Sequence, residues 1–300
     1  MRILLASAGL VAGLALGTGV APASTVSLEG TTAVLRAGPA ASDITSNGAA
    51  DGTNSFADAL QVLEAGPGCV AGPPVSCPGA VDHVLLLGRG DDRVKAFNFG
   101  PLTVSGDDGA DDIDANGSRT TVTGGGGNDA LRVASNGVTT ASGGTGDDEI
   151  RSSFGGDAFL DGGAGDDLIV GGTRANHITG GEGNDRLIAE VGFGDIDGGP
   201  GSDVIVVRPQ GVTAGGYTVD GGNGGDIIAG GSQPDMLGGG NGNDLIDASG
   251  DGPGDTVNCG AGLDLVRADP GDDVARNCEF RVNRFPAAAA VAGAVAAAGS

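Results

Sequence analysis

Ten aspartates recur along the chain at nearly constant spacing: Asp92, Asp111, Asp129, Asp148, Asp167, Asp185, Asp203, Asp226, Asp244 and Asp264. The intervals between them are 19, 18, 19, 19, 18, 18, 23, 18 and 20 residues. Two residues before each stands a glycine: Gly90, Gly109, Gly127, Gly146, Gly165, Gly183, Gly201, Gly224, Gly242 and Gly262. Four residues before nine of them stands another: Gly88, Gly125, Gly144, Gly163, Gly181, Gly199, Gly222, Gly240 and Gly260. Glycines at this density let the backbone take positive φ and turn sharply, with carbonyl oxygens pointing into the turn. A carboxylate beside such carbonyls is a set of hard oxygen donors, which is what Ca²⁺ prefers.

The elements that must hold these turns are also written in the repeat. Two residues after each Asp comes an aliphatic side chain: Val94, Ile113, Leu131, Ile150, Ile169, Leu187, Ile205, Ile228, Ile246 and Val266. Mostly β-branched, these suit a short strand with a half-buried face. The unit is therefore Gly-Gly-x-Gly-x-Asp-x-apolar-x, a metal-binding turn followed by a strand. Repeats one, two and ten depart from the Gly-Gly start, with Leu87, Asp107 and Cys259.

A step of about 18 residues is two nonapeptides, of which one keeps the motif. The other keeps its apolar eighth place (Val104, Val122, Ala141, Leu160, Ile178, Ile196, Val219, Leu237 and Val257) and loses the loop. If two nonapeptides make one coil, loops alternate between the edges of a flattened roll. All intact loops then fall on one edge and all degenerate loops on the other. At about 4.8 Å per coil the Asp ladder would be about 45 Å long, with about nine gaps between its rungs. Fragments such as Gly155 with Asp157, Gly171-Gly172 with Asn176, and Asp235 read as decayed sites that hold no calcium.

The unit resembles the nonapeptide repeat of RTX (haemolysin-type) calcium-binding proteins, and the resemblance covers about residues 82–280. It implies an all-β fold, a parallel β-roll or β-helix solenoid. It also implies Ca²⁺ between stacked loops, held by the ten Asp and by backbone oxygens of the Gly-rich turns. Family repeats run in tandem every nine residues; here only every second unit keeps the motif.

The formal charge of −24 comes from 15 basic and 39 acidic residues, with a single lysine, Lys95. Such a chain is a poor partner for nucleic acid. Ten stacked carboxylates repel without a counter-ion, so folding is expected to be coupled to Ca²⁺. Met1-Arg2, the apolar run Ile3–Val20 and Ala21-Pro22-Ala23 read as a signal peptide cleaved after Ala23. The expected location is therefore extracellular, where weak calcium affinities suffice. This leader departs from RTX toxins, which carry an uncleaved C-terminal secretion signal. In an exported chain four cysteines argue for disulfides, and neighbours are favoured: Cys69–Cys77 and Cys259–Cys278. The competing reading, a Cys₄ zinc site, lacks the C-x₂-C spacing.

Residues 24–81 lack the repeat and read as an N-terminal β cap that covers the open edge of the roll. Within it Thr25–Leu28 and Thr32–Leu35 alternate as strands around Gly30, while Ser55–Glu64 fits a short helix or a bent strand. Asp82–Leu87 enters loop one. Residues 82–282 form the roll, closed by a half-turn at Asp269–Val274 and a strand at Cys278–Val282. This end resembles the termini of secreted calcium-binding repeat proteins of actinobacterial type. Residues 283–300 form an Ala-rich tail, disordered or a frayed helix, too short to span a bilayer.

Other signals are absorbed by the repeat. Arg89-Gly90-Asp91 spells a cell-adhesion tripeptide but is generated by repeat one. His83, in a strand, and His177, in a degenerate loop, share no metal or catalytic context. No Ser stands in G-x-S-x-G. In acidic pairs such as Asp147-Asp148 and Asp166-Asp167, the metal takes the second Asp and solvent the first. Thr120, Thr121, Thr139 and Thr140 give the bare edge a short Thr array of the kind that binds ice or glycans. The expected function is Ca²⁺ binding by a secreted, non-catalytic protein, structural or adhesive, of the cell surface or matrix. The alternatives are a polysaccharide-active module, as in RTX-associated epimerases and lyases, and a toxin-related protein. Any cell-surface or glycan partner is unspecified.

Overall fold

The computed structural model describes residues 24–48, 54–58, 64–65, 67–72, 74–78, 80, 82–153, 155–190, 192–208, 215–249 and 254–282. The leader 1–23, the tail 283–300 and most of the insertion in the 23-residue step lie outside these residues. Two 14-stranded sheets face one another, and from Asp82 onward consecutive strands of the chain alternate between them. From Asp82 onward every neighbouring pair within a sheet is parallel and one coil apart, as Leu160↔Ile178 and Ile169↔Leu187 show. The chain is therefore a β-solenoid, all β, with coils of about 19 residues.

Register explains the period. The first sheet takes the apolar eighth place of each degenerate unit, and the second sheet that of each intact unit. Ile113, Leu131, Ile150, Ile169, Leu187, Ile205, Ile228 and Ile246 are fully buried. Facing them, Val104, Val122, Ala141, Leu160, Ile178, Ile196, Val219, Leu237 and Val257 are at most 2 % exposed. A mainly aliphatic layer between the two sheets is the main core, and its eighth-place side chains stack on their equivalents a coil away. All intact loops run from first sheet to second, so they line one edge.

The N-terminal strands join both sheets. Thr25–Glu29 and Thr32–Arg36 form an antiparallel hairpin about Gly30, which has φ +67°. Thr32–Arg36 then pairs in parallel with Asp82–Arg89, the strand that enters the first intact loop. Asp43–Gly48 pairs in parallel with Arg93–Phe97 and antiparallel with Asn54–Asp58. The stretch open to helix or strand thus begins as strand; residues 59–63 lie outside the described ones. Phe56, fully buried, packs on the His83 ring at 4.9 Å between centroids.

Both disulfides form between sequence neighbours: Cys69–Cys77 beside the hairpin and Cys259–Cys278 at the last coil. The latter closes a separation of 19 residues, one coil, and ties the tenth repeat to the closing strand region. That end is shorter than expected, with strands at Asp273–Val274 and Phe280–Arg281 only. Two placements differ from expectation. Thr120 and Thr139 are buried inside the corner, Thr120 donating its hydroxyl to the Ala134 carbonyl, so only Thr121 and Thr140 face outward. His177 lies in the strand Ala175–Glu182, not in a loop, stacked on Phe159 at 4.7 Å and 3.1 Å from Asp195. The hydrophobic register runs past the degenerate loop and draws it into the sheet.

The packing predicts how glycines differ. A Cβ on Gly165, at φ +138°, would meet the Gly146 carbonyl oxygen at 2.1 Å, whereas one on Gly155 would meet nothing within 4 Å. Gly165→Ala should cost about 2 kcal/mol or more, and Gly155→Ala should stay within about 0.5 kcal/mol. Urea melts in Ca²⁺ check both.

Candidate metal centre

The ten repeat aspartates, at most 2 % exposed, line the inner side of the intact-loop edge. Each points one oxygen along the solenoid axis. Asp111 Oδ1 accepts the Asp92 backbone NH at 2.8 Å, and Asp129 Oδ1 accepts that of Asp111 at 2.8 Å. The pattern continues through Asp148, Asp167, Asp185, Asp203, Asp226, Asp244 and Asp264 at 2.7–2.9 Å. At the ends, Asp92 Oδ1 accepts from the Ser42 NH, and the Asp264 NH donates to Glu279 at 3.2 Å. Both ends of the ladder are thereby closed by chain outside the repeats.

The second oxygen is different. Oδ2 of all ten aspartates is buried and has no hydrogen-bond partner. A buried carboxylate oxygen left in this state is costly. In the eight repeats that have one, it sits over the first glycine of its own motif. A Cβ on Gly162 would lie 2.3 Å from Asp167 Oδ2 and 2.5 Å from the carbonyl oxygen of Gly180, the first glycine of the next coil. The same cradle recurs at Gly106, Gly124, Gly143, Gly180, Gly198, Gly221 and Gly239, with both oxygens within 2.1–2.7 Å of the missing Cβ. Each cradle faces a carboxylate oxygen of one coil and a carbonyl oxygen of the next toward a space kept empty by glycine. A carboxylate and a carbonyl are the hard oxygen donors Ca²⁺ takes, so the chemistry of the donor set fits it.

The second and fourth glycines have another task. They hold φ between +86° and +156°, and each stacks directly on its counterpart a coil away, as Gly163 does on the Gly144 carbonyl. At the fourth place the NH donates to the third-place carbonyl of the next coil, Gly165 to Glu182 at 2.7 Å for example. These glycines therefore set the loop pitch, while the first glycine, absent from the expected ligand set, makes the room. Its signal was visible: it is glycine in eight of the ten repeats. Among the described residues no three His, Cys, Asp or Glu side chains gather into a side-chain cage. A metal here would depend on backbone oxygen.

The fifth place corrects the reading of the acidic pairs. Its side chain is exposed but not simply solvated, because it accepts the backbone NH of the next coil's fifth residue. Asp91 bonds to Ala110 at 2.9 Å, Asp147 to Asp166 at 3.0 Å and Asp166 to Asn184 at 2.7 Å. Asn128, Asn184 and Ser202 do the same. This outer ladder runs opposite in sense to the inner one. It also occupies the Asp91 carboxylate of Arg89-Gly90-Asp91, whose arginine pairs with Asp108 at 3.3 Å.

On the other edge the decayed loops satisfy themselves. Asp235 accepts the Tyr217 NH at 2.7 Å on Oδ1 and the Gly231 NH at 2.8 Å on Oδ2. Asn176 accepts from the Gly172 NH and donates to the Tyr217 hydroxyl, both at 2.8 Å. Their polar atoms leave no oxygen vacant. His83, buried, shares a 2.8 Å hydrogen bond with Ser46, and burial lowers its pKa to about 4. It stands in another part of the fold from His177.

Burial raises the pKa of Asp92, Asp129, Asp167 and Asp203 to about 7, and of Asp148 and Asp226 to about 6, against the partial relief of a backbone NH. Without a cation these groups favour the fold when protonated. Stability from this source is complete below the ordinary value of 3.8 and lost as pH rises through about 7. In EDTA the chain should therefore keep more β structure at pH 4.5 than at pH 8. The calcium midpoint should rise as pH falls from 8 to 5.5. Circular dichroism reads both; a pH-independent calcium midpoint would count against the buried ladder. Asp167→Ala, mid-stack, should raise that midpoint more than Asp92→Ala at the end, since an interior rung has a coil to lose on either side.

No curated protein and no solved structure gives a match to the chain. The RTX calcium-binding nonapeptide repeat matches in four copies, over residues 161–196 and 220–253. Those segments hold Asp167, Asp185, Asp226 and Asp244 with their cradles, and the same geometry continues on either side. The chain therefore carries RTX calcium-binding nonapeptide repeats, set within a β-solenoid.

Proposed function

We propose that this is a secreted protein whose roll is folded by calcium, and that it serves a structural or adhesive role at the cell surface or in the matrix. The observation that carries the reading is the column of ten buried Asp Oδ2 atoms without a partner. Ten such oxygens, stacked in a chain of net charge −24, oppose the fold until cations neutralise them. Calcium is then a structural component, and export into a calcium-rich medium switches folding on.

The glycine cradles suggest eight equivalent ions, one fewer than counting gaps between ten rungs, because Leu87 and Cys259 replace the first glycine in the end repeats. The ligands would be the repeat Asp carboxylates with carbonyls of the Gly-rich turns. Export is supported by the leader in the sequence and by the two disulfides, which persist in oxidising compartments. A non-catalytic role is supported by the repeat itself: the acidic pairs are consumed by the two ladders, and His83 and His177 belong to separate packing arrangements.

The test is a Ca²⁺ titration of the residue 24–300 chain from EDTA, followed by far-ultraviolet circular dichroism and calorimetric stoichiometry. A cooperative coil-to-β transition at sub-millimolar to millimolar Ca²⁺, with about eight ions bound, is expected. A full β spectrum in EDTA at pH 8 would overturn the folding switch.

A further inference from the structure

The outer face of the second sheet changes character along the solenoid. The outward ninth place of successive intact units is Lys95, Asp114, Arg132 and Arg151, all exposed. In the same register it then becomes Val170, Ile188, Val206 and Ala229, before returning to Asp247 and Arg267. The neighbouring outward column shifts in the same direction, from Arg93, Asp112, Ala130 and Glu149 to Leu168, Val204, Ile227, Leu245 and Leu265, with the half-buried Arg186 the one charged member between Leu168 and Val204. Runs such as Val204-Ile205-Val206-Val207 are apolar on both faces, the composition of a parallel strand covered on both sides.

The apolar ninth-place side chains are buried, and most of the neighbouring column is half-buried. Val170 is 8 %, Ile188 3 %, Val206 1 % and Ala229 6 % exposed. They are not part of the inner core, and Ala229 and Leu245 form a separate apolar cluster with Ile227 and Leu265. The strand pairs in substantial contact are neighbours within a sheet or partners across the core, so no described strand supplies this cover.

We infer that this face is the docking site of the chain's own C-terminal segment, residues 283–300. Position, reach and composition all favour this occupant. Val282 comes directly after Phe280–Arg281, the last strand of this same sheet. The patch extends back six strands to Leu168–Val170, about 29 Å at strand spacing. Eighteen residues reach about 27 Å even if wholly helical, and further if extended. From Pro286 to Ser300 the segment carries no charged side chain and is mostly Ala with Val291 and Val295. Small apolar side chains can lie close on a flat sheet, and the charged residues on either side of the patch limit the docked length. The leader precedes Ser24 at the opposite end of the solenoid, and 209–214 is a stretch of only six residues.

The test uses the calcium-loaded residue 24–300 chain with paired cysteines, Val206→Cys with Ala292→Cys, against a control on the opposite sheet, Thr121→Cys with Ala292→Cys. The first pair should oxidise within one chain at least tenfold faster than the control, as mapped by mass spectrometry. Deleting 283–300 should raise anilinonaphthalene sulfonate fluorescence several-fold and speed deuterium uptake at 186–189 and 204–207. If the truncated chain does not fold, the cysteine pairs decide alone. Equal rates for the two pairs would overturn the inference. So would links between chains with dimeric light scattering, which would make a second copy the occupant, or deuterium uptake unmoved by the truncation but raised by deleting 209–214.

Discussion

The fold rests on a tension between a hydrophobic register and a buried charge. One layer of aliphatic side chains between two sheets requires the coils to stack in strict alignment. That alignment places one carboxylate above another at each coil of the intact edge. Each carboxylate satisfies one oxygen with the backbone of its neighbour and leaves the other bare and buried. Packing that favours the solenoid thus creates the electrostatic problem a divalent cation resolves. The same neighbour contacts that make stability nearly one-dimensional also make the metal sites depend on one another.

The three glycines of the motif divide this work. The first leaves the space toward which carboxylate and carbonyl converge; the second and fourth let successive loops approach along the axis at positive φ. Outside them, the fifth-place Asp, Asn and Ser residues build a second, solvent-facing ladder that ties the loops without ions. The degenerate edge shows what happens when the fourth glycine is lost: Asp235 follows Gly230-Gly231 but has Gln233 at that place, and both its oxygens are occupied by backbone NH groups. An aspartate in repeat register is therefore not a site unless its second oxygen is left open.

Most of this was legible in one dimension, because a solenoid repeats locally: each residue's environment is set by its equivalents one coil away. The spacing of ten Asp and nineteen apolar eighth places determined the coil, the alternation of loops between edges, the burial of Ile169 and Leu160, and the one-sided ladder. Cysteine proximity pointed to both disulfides. Tertiary structure decided what depends on direction. Whether Thr120 turns inward and Thr121 outward, or whether His177 belongs to loop or strand, depends on where the sheet begins, which spacing does not reveal. Likewise Asp166 and Asp167 are adjacent in sequence and alike in type, yet one braces the outer loop and the other holds an open oxygen in the interior. Only the stacking of coils separates them, because the partner of each is a backbone group 18 or 19 residues away.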